Sequence, residues 1–153
     1  MNKKSMLRLA LFLLMLPGLV GCAQAATEQA PPAEPASAAL KFTGKVDHET
    51  SWTMADLQAM DTISVDTTDK NGDTVHSTGV KLLDLADKAG LQDGVTQLTL
   101  VGSDGYEAPV AIGDFQACTE CIVAFQDDGS LSAVMPGFSG KTQVKGIVEI
   151  RAE

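Results

Sequence analysis

The chain has 153 residues, 44% hydrophobic but only 5% aromatic, with 11 Lys or Arg against 20 Asp or Glu and a net charge of −9. That length allows a short N-terminal segment followed by one domain. The acidic balance makes the chain a poor match for a phosphate backbone, so no nucleic-acid partner is expected.

The N-terminus reads as an address. Lys3, Lys4 and Arg8 form a basic patch, and Leu9 to Leu16 is an apolar run too short to span a bilayer. The run leads into Leu19-Val20-Gly21-Cys22, which looks like a bacterial lipobox. There a small Gly21 admits the peptidase and the Cys22 thiol takes the diacylglycerol. Residues 1–21 are therefore expected to be a lipoprotein signal peptide, with Cys22 as the lipidated mature N-terminus. The expected location is extracytoplasmic, in a bacterial cell envelope, with the membrane as partner through the lipid anchor. Residues 22–39 are rich in Ala and carry Pro31, Pro32 and Pro35. They cannot bury enough apolar surface to fold and read as a semi-extended tether.

Residues 40–153 make one domain, with eight Lys or Arg against eighteen Asp or Glu and Arg151 as its only arginine. Leu40, Phe42 and Val46 alternate as a strand. Thr53 with Asp56 resembles a capping box, opening a short helix through Met54, Leu57 and Met60. Ile63, Val65 and Thr67 alternate again, Asn71-Gly72 predicts a tight hairpin, and Thr74 to Thr78 returns. Leu82, Leu83, Leu85 and Ala86 predict an amphipathic helix ended by Gly90. Val95 to Val101 is a predicted strand, turned at Asp104-Gly105, with Tyr106 to Ile112 running back. Ile122 to Phe125 is a short, fully apolar strand turned at Asp127-Asp128-Gly129. An apolar run then stops at Pro136, a loop holds Gly137 and Gly140, and Val144 to Ile150 makes the last strand. About eight short strands and two short helices predict an α+β, mostly β class. The expected core is Leu82, Leu85, Leu98, Leu100, Val110, Ile112, Ile122, Val123, Ile147, Val148 and Ile150.

Three stretches carry a resemblance: GVKLLDLADKAG (Gly79 to Gly90), DGY (Asp104 to Tyr106) and VMPGFSGKTQVKGIVEI (Val134 to Ile150). In that order and spacing they resemble the molybdopterin-binding oxidoreductase domain of the sulfite oxidase family, from about Leu40 to the C-terminus. The resemblance implies that family's fold. It also implies a metal-ligand Cys between the first helix and the strand leading into the second. Here that interval, Asp61 to Thr78, contains no Cys. A Ser or Thr would not replace the soft thiolate such a site needs. By the same resemblance Asp104 could orient a ligand, Tyr106 could shape a cavity, Lys145 matches a family lysine, and Lys141 lies near another but out of register. The plain alternatives are turn chemistry for Asp104, core packing for Tyr106 and solvated loop lysines. The loop Gly137 to Gly140 could present backbone N–H groups to an anion.

Cys118-Thr119-Glu120-Cys121 has the spacing of a disulfide, a redox pair or half a zinc site. Glu120 between the thiols disfavours a reactive thiolate, and the redox motif's usual flanks are missing. As zinc ligands the pair would need His48 and His76, the only histidines, neither of which has paired spacing. With Cys22 lipidated, an even pair outside the cytoplasm points to a bridge. No metal or cofactor is expected from the residues; molybdopterin is implied by the resemblance alone. The expected function is a membrane-tethered binding or accessory module with an unidentified protein or small-molecule partner. The alternatives are a minimal molybdopterin-dependent oxidoreductase, using Cys118 or Cys121 as metal ligand, and a thiol-disulfide protein using both.

Lipidation can be checked directly. Wild-type protein should partition with membranes, and Cys22→Ser should be released or left unprocessed. A wild-type chain that fractionates as fully soluble would contradict the reading.

Overall fold

The computed structural model describes residues 37–69 and 71–153; the expected signal peptide, Cys22 and most of the expected tether lie outside the described residues. The domain begins with β1 (Leu40–Gly44), β2 (Thr50–Trp52) and α1 (Met54–Gln58). A long hairpin of β3 (Thr62–Thr68) and β4 (Thr74–Lys81) leads directly into α2 (Leu82–Ala89). β5 (Gln97–Gly102) and β6 (Glu107–Ala111) follow, then α3 (Ile112–Ala117), β7 (Ile122–Phe125) and β8 (Leu131–Val134). A single 3-10 turn, Gly140–Thr142, precedes β9 (Ile147–Ala152). No helix of the described residues is long and apolar enough to cross a membrane.

The strands form two sheets. The larger has the order β2-β1-β9-β5-β6 and the smaller β3-β4-β7-β8. The last strand lies inside the larger sheet, parallel to β1 and antiparallel to β5. Phe42, Ile150 and Leu100 are aligned across these three strands, and all are fully buried. The smaller sheet faces them with Val80, Val123, Leu131 and Ala133, while Leu57 of α1, Leu82 and Leu85 of α2 and Phe115 of α3 join the same core. β7 also has a second buried face. Val123 belongs to the main core, while Ile122 and Ala124 pack with Val65 in a smaller cluster. A strand buried on both sides has no polar positions, which is why Ile122 to Phe125 is uniformly apolar.

Local chemistry sets the element ends. Thr53 Oγ1 accepts from the Asp56 N–H and the Asp56 carboxylate accepts from the Thr53 N–H, completing a capping box on α1. These bonds to Thr53, side chain first, hold the Asp56 carboxyl below its ordinary value. α2 ends at Gly90 with φ +71°, a left-handed cap that residues with a side chain adopt at a cost.

Four expectations need correction. The β3–β4 connection spans residues 69–73 rather than two, because the Asp69 carboxylate accepts from the N–H groups of Asn71 and Asp73 and widens the turn. Residues 112–117 form a third helix, so the return strand after Tyr106 stops at Ala111 and Ile112 is only half-buried. The final strand starts at Ile147, not Val144. Its register against β5 shifts between Val101 and Gly102, so Ile147 and Ile150 both turn inward and Val148 is exposed.

On the larger sheet, Thr43 Oγ1 donates to Glu149 Oε1 at 2.6 Å and Arg151 reaches both Glu149 and Glu107. The Thr43 hydroxyl first, and then Arg151, hold the Glu149 carboxyl below its usual range. A carboxylate depressed on folding stabilises the fold above its unfolded value. That contribution is lost as pH falls through the folded value.

β4 and β7 approach closely at Gly79. A Cβ built there would overlap the Val123 carbonyl oxygen and crowd the Ala124 backbone. Gly79→Ala should therefore spread β4 from β7 and cost about 1–3 kcal/mol, the usual range for overpacking. Thermal unfolding of the purified variant checks this, and an unchanged melting temperature would contradict the close approach.

Candidate functional site

The loop between β8 and β9 is held at its base by one side chain. Gln143 accepts from the Met135 N–H at 3.0 Å and donates to the Met135 carbonyl at 2.7 Å, so its amide substitutes for a strand partner. Beneath it the Ala133 N–H donates to the Val144 carbonyl. Thr142 donates from both its backbone and its hydroxyl to the Ser139 carbonyl. Within the loop the Phe138 N–H is used on the Met135 carbonyl, which removes one donor from the anticipated anion nest. Phe138 itself is half-buried and packs on the edge of the main core.

The β5–β6 turn docks on the same loop. The Ser103 N–H donates to the Gly146 carbonyl and the Tyr106 hydroxyl donates to the Lys141 carbonyl, each at 2.8 Å. Asp104 Oδ1 accepts from the Tyr106 N–H at 2.9 Å, closing an Asx turn. Asp104, Tyr106, Lys141 and Lys145 thus lie on two adjoining loops. Tyr106 is exposed rather than packed in the core, and its hydroxyl is spent on the backbone. Both lysine side chains are exposed, and among the described residues neither makes a salt bridge.

Cys118 and Cys121 form a disulfide. It sits where α3 ends, with Cys118 half-buried and Cys121 buried against the main core. The Cys121 carbonyl accepts from the Leu82 N–H, extending the β4–β7 pairing to the start of α2. No three His, Cys, Asp or Glu side chains among the described residues converge as a metal set, and His76 pairs with Asp66 on the β3–β4 hairpin instead.

The disulfide segment and the loop after β8 border an open cleft of about 620 Å³; Asp104, Tyr106, Lys141 and Lys145 do not line it. One wall is Asp114 and Ala117 of α3 together with the segment 118–120; the other is the segment 136–139. Sequence reading singled out the cysteine pair and the glycine loop separately, and the fold puts them across this cleft. Asp114 and Gln143 were not anticipated. Asp114 lies on the unanticipated helix. Gln143 is a lone polar residue beside Val144, with no spacing signal to mark it.

A molybdopterin does not fit this donor set. The interval Asp61 to Thr78 is occupied by a regular hairpin without a thiol, and the remaining thiols of the domain are bonded to each other. The cleft walls carry Asp114 and Glu120 and no cationic side chain, the wrong sign for a phosphate.

The two-sheet, mostly β, α+β architecture with short helices is that of the sulfite oxidase-like molybdopterin-binding fold. The sulfane dehydrogenase SoxCD from Paracoccus pantotrophus is similar to it in structure, with a TM-score of 0.63 over 74% of this chain at 16% sequence identity. That match covers 37% of the SoxCD chain, so this protein spans well under half of its structural relative. No protein-family model matches the sequence, and none of the curated proteins compared with it matches.

A bridge closing so short a loop removes little unfolded-state entropy, at most about 1–2 kcal/mol. Cys118→Ser combined with Cys121→Ala should therefore lower the melting temperature by several degrees and leave a folded domain. Loss of the cooperative transition would mean that the bridge holds the fold, contrary to this account.

Proposed function

We propose that the chain is a non-catalytic binding or accessory module on a sulfite oxidase-like fold, tethered outside the cytoplasm through a lipid on Cys22. The observation that carries this reading is the state of the thiols. Cys118 and Cys121 are joined to each other, and no Cys lies between Asp61 and Thr78. With Cys22 taken by lipid, no thiolate remains to ligate molybdenum. The charge of the site supports the same reading, since carboxylates line the cleft and the two loop lysines point to solvent.

Thiol-disulfide exchange is less well supported. Cys118 is the more accessible sulfur, but Asp114 and Glu120 share its cleft and oppose the negative charge of a thiolate there. The SoxCD likeness supports the fold of the module and leaves its ligand open.

The test is cofactor loading. The full chain, produced in a host that makes molybdopterin and purified from its membranes, should carry background levels of molybdenum and pterin. Stoichiometric molybdenum that survives purification would overturn the proposal.

A further inference from the structure

We propose that the β3 edge of the smaller sheet is a self-association surface. Two copies of this chain pair β3 with β3, antiparallel and two-fold about Val65, into one continuous sheet. The pairing goes beyond the binding-module reading and is independent of the thiols and of any cofactor.

The two sheets have four edge strands, β2, β6, β3 and β8, and three of them are blunted. β2 has only three residues. Beside β6 the Gly102 N–H donates to the Tyr106 carbonyl, and bonded and unbonded pairs alternate from there along the ladder. Pro109 therefore falls at an outward position, where it is exposed and has no N–H to offer another strand. β8 is covered, because the Ala133 N–H donates to the Val144 carbonyl and Ser132 bridges to Lys145. β3 has none of these devices. Its seven residues pair with β4 without a break and include no Pro, Gly or Lys.

The outward groups of β3 follow from its turn. The Asp69 N–H donates to the Asp73 carbonyl, so Thr67–Val75, Val65–Ser77 and Ile63–Gly79 are the bonded pairs. The pairs between them bring side chains together instead: Asp66 meets His76, and the Ser64 and Thr78 hydroxyls are 2.8 Å apart. Thr62, Ser64, Asp66 and Thr68 thus turn their backbone N–H and C=O groups away from β4. All four residues are exposed, and among the described residues none of these groups has a hydrogen-bond partner.

A second copy fits this edge. With the two-fold axis at Val65, Thr62 pairs with Thr68 and Ser64 with Asp66 of the other copy, so all four outward residues find partners. On the opposite face Val65 meets Val65 and Ile63 meets Thr67, extending the cluster that Val65 and Ile63 form with Ile122 and Ala124. Asp66 is the strand's only charge, and this register sets it against a serine hydroxyl that can donate to it. Moving the axis to Asp66 sets carboxylate against carboxylate. Moving it to Ser64 sets Thr68 against Met60, outside the strand.

A single strand pair is a small interface, so dimerisation is expected to be reversible. The experiment sediments the full chain in a density-matched non-ionic detergent, micelles in excess, over a concentration series to about 0.1 mM. Hydrogen exchange at single amides is read in the same samples. A dimer should form, and the Ser64 and Asp66 amides should slow as it does. The Val65 and Thr67 amides, bonded to β4, should be protected at every concentration.

Ser64→Pro repeats on β3 what Pro109 does on β6, and it spares the β4 pairing because the Ser64 N–H points away from β4. It should weaken dimerisation about tenfold, since each dimer loses two donors. Ser64→Asp sets a carboxylate against Asp66 of the second copy and should weaken dimerisation about tenfold, whereas Ser64→Lys should tighten it about threefold. These two variants decide the matter if Ser64→Pro does not fold. Gln116→Asp and Gln116→Lys make the same charge changes on α3 and should alter dimerisation little. Equal shifts in the Gln116 variants would reduce the effect to net charge and overturn the proposal. A dimer that forms without slowing the Ser64 and Asp66 amides would place the interface elsewhere, with the same consequence. A chain that stays monomeric throughout would also overturn it, leaving the edge to a strand of a different protein.

Discussion

The structure depends most on the insertion of β9 between β1 and β5. Phe42, Ile150 and Leu100 lie side by side in that order across three strands, without exposed surface, and Ala108 extends the row into β6. Such a row cannot form until the last residues of the chain are available, because the first and last strands are parallel neighbours. The contact is among the longest in sequence that the domain could make, and its closure entropy is met only by the apolar area it buries. The β5–β6 turn docks on the segment that leads into the same strand. Gly146, immediately before β9, receives the Ser103 N–H, and Lys141 receives the Tyr106 hydroxyl. Displacing β9 would therefore loosen the β5–β6 turn and the β8–β9 loop together.

On that framework the candidate site residues differ from those the resemblance implies. The stretch where the resemblance calls for a metal thiolate is a continuous seven-pair hairpin, bearing an exposed Asp66–His76 pair. In the turn at Asp104 to Tyr106, Asp104 Oδ1 accepts from the Tyr106 N–H and the Tyr106 hydroxyl donates to the Lys141 carbonyl, which positions a loop. The cleft that remains lies between a disulfide-anchored helix end and an amide-clamped loop, and its charged groups are carboxylates.

Much of the fold was legible where a residue acts locally. The Thr53 and Asp56 capping box marked the start of α1, and Gly90 marked the end of α2. Strand periodicity located β1, β3 and β5, and a short uniformly apolar run located β7. It failed where tertiary structure altered the period. Val148 looks like a core residue because β-branched residues surround it, but the register shift against Val101 and Gly102 turns it outward. α3 was illegible for local reasons. Ala111 offers no side-chain cap, Gly113 weakens its first turn, and of its residues only Phe115 is buried. The candidate site was legible only in fragments. The Cys118–Cys121 spacing suggested a bridge, but its alignment with Pro136 and Phe138 depends on β7–β8 pairing and on Gln143, which no short-range pattern announces.

The central claim is that the domain has no free thiolate with which to hold a catalytic metal. Differential alkylation followed by mass spectrometry, on protein isolated without reductant, tests it most directly. The account predicts that neither Cys118 nor Cys121 is labelled in the untreated, unfolded protein and that both are labelled after reduction. Labelling of either cysteine without prior reduction would contradict it.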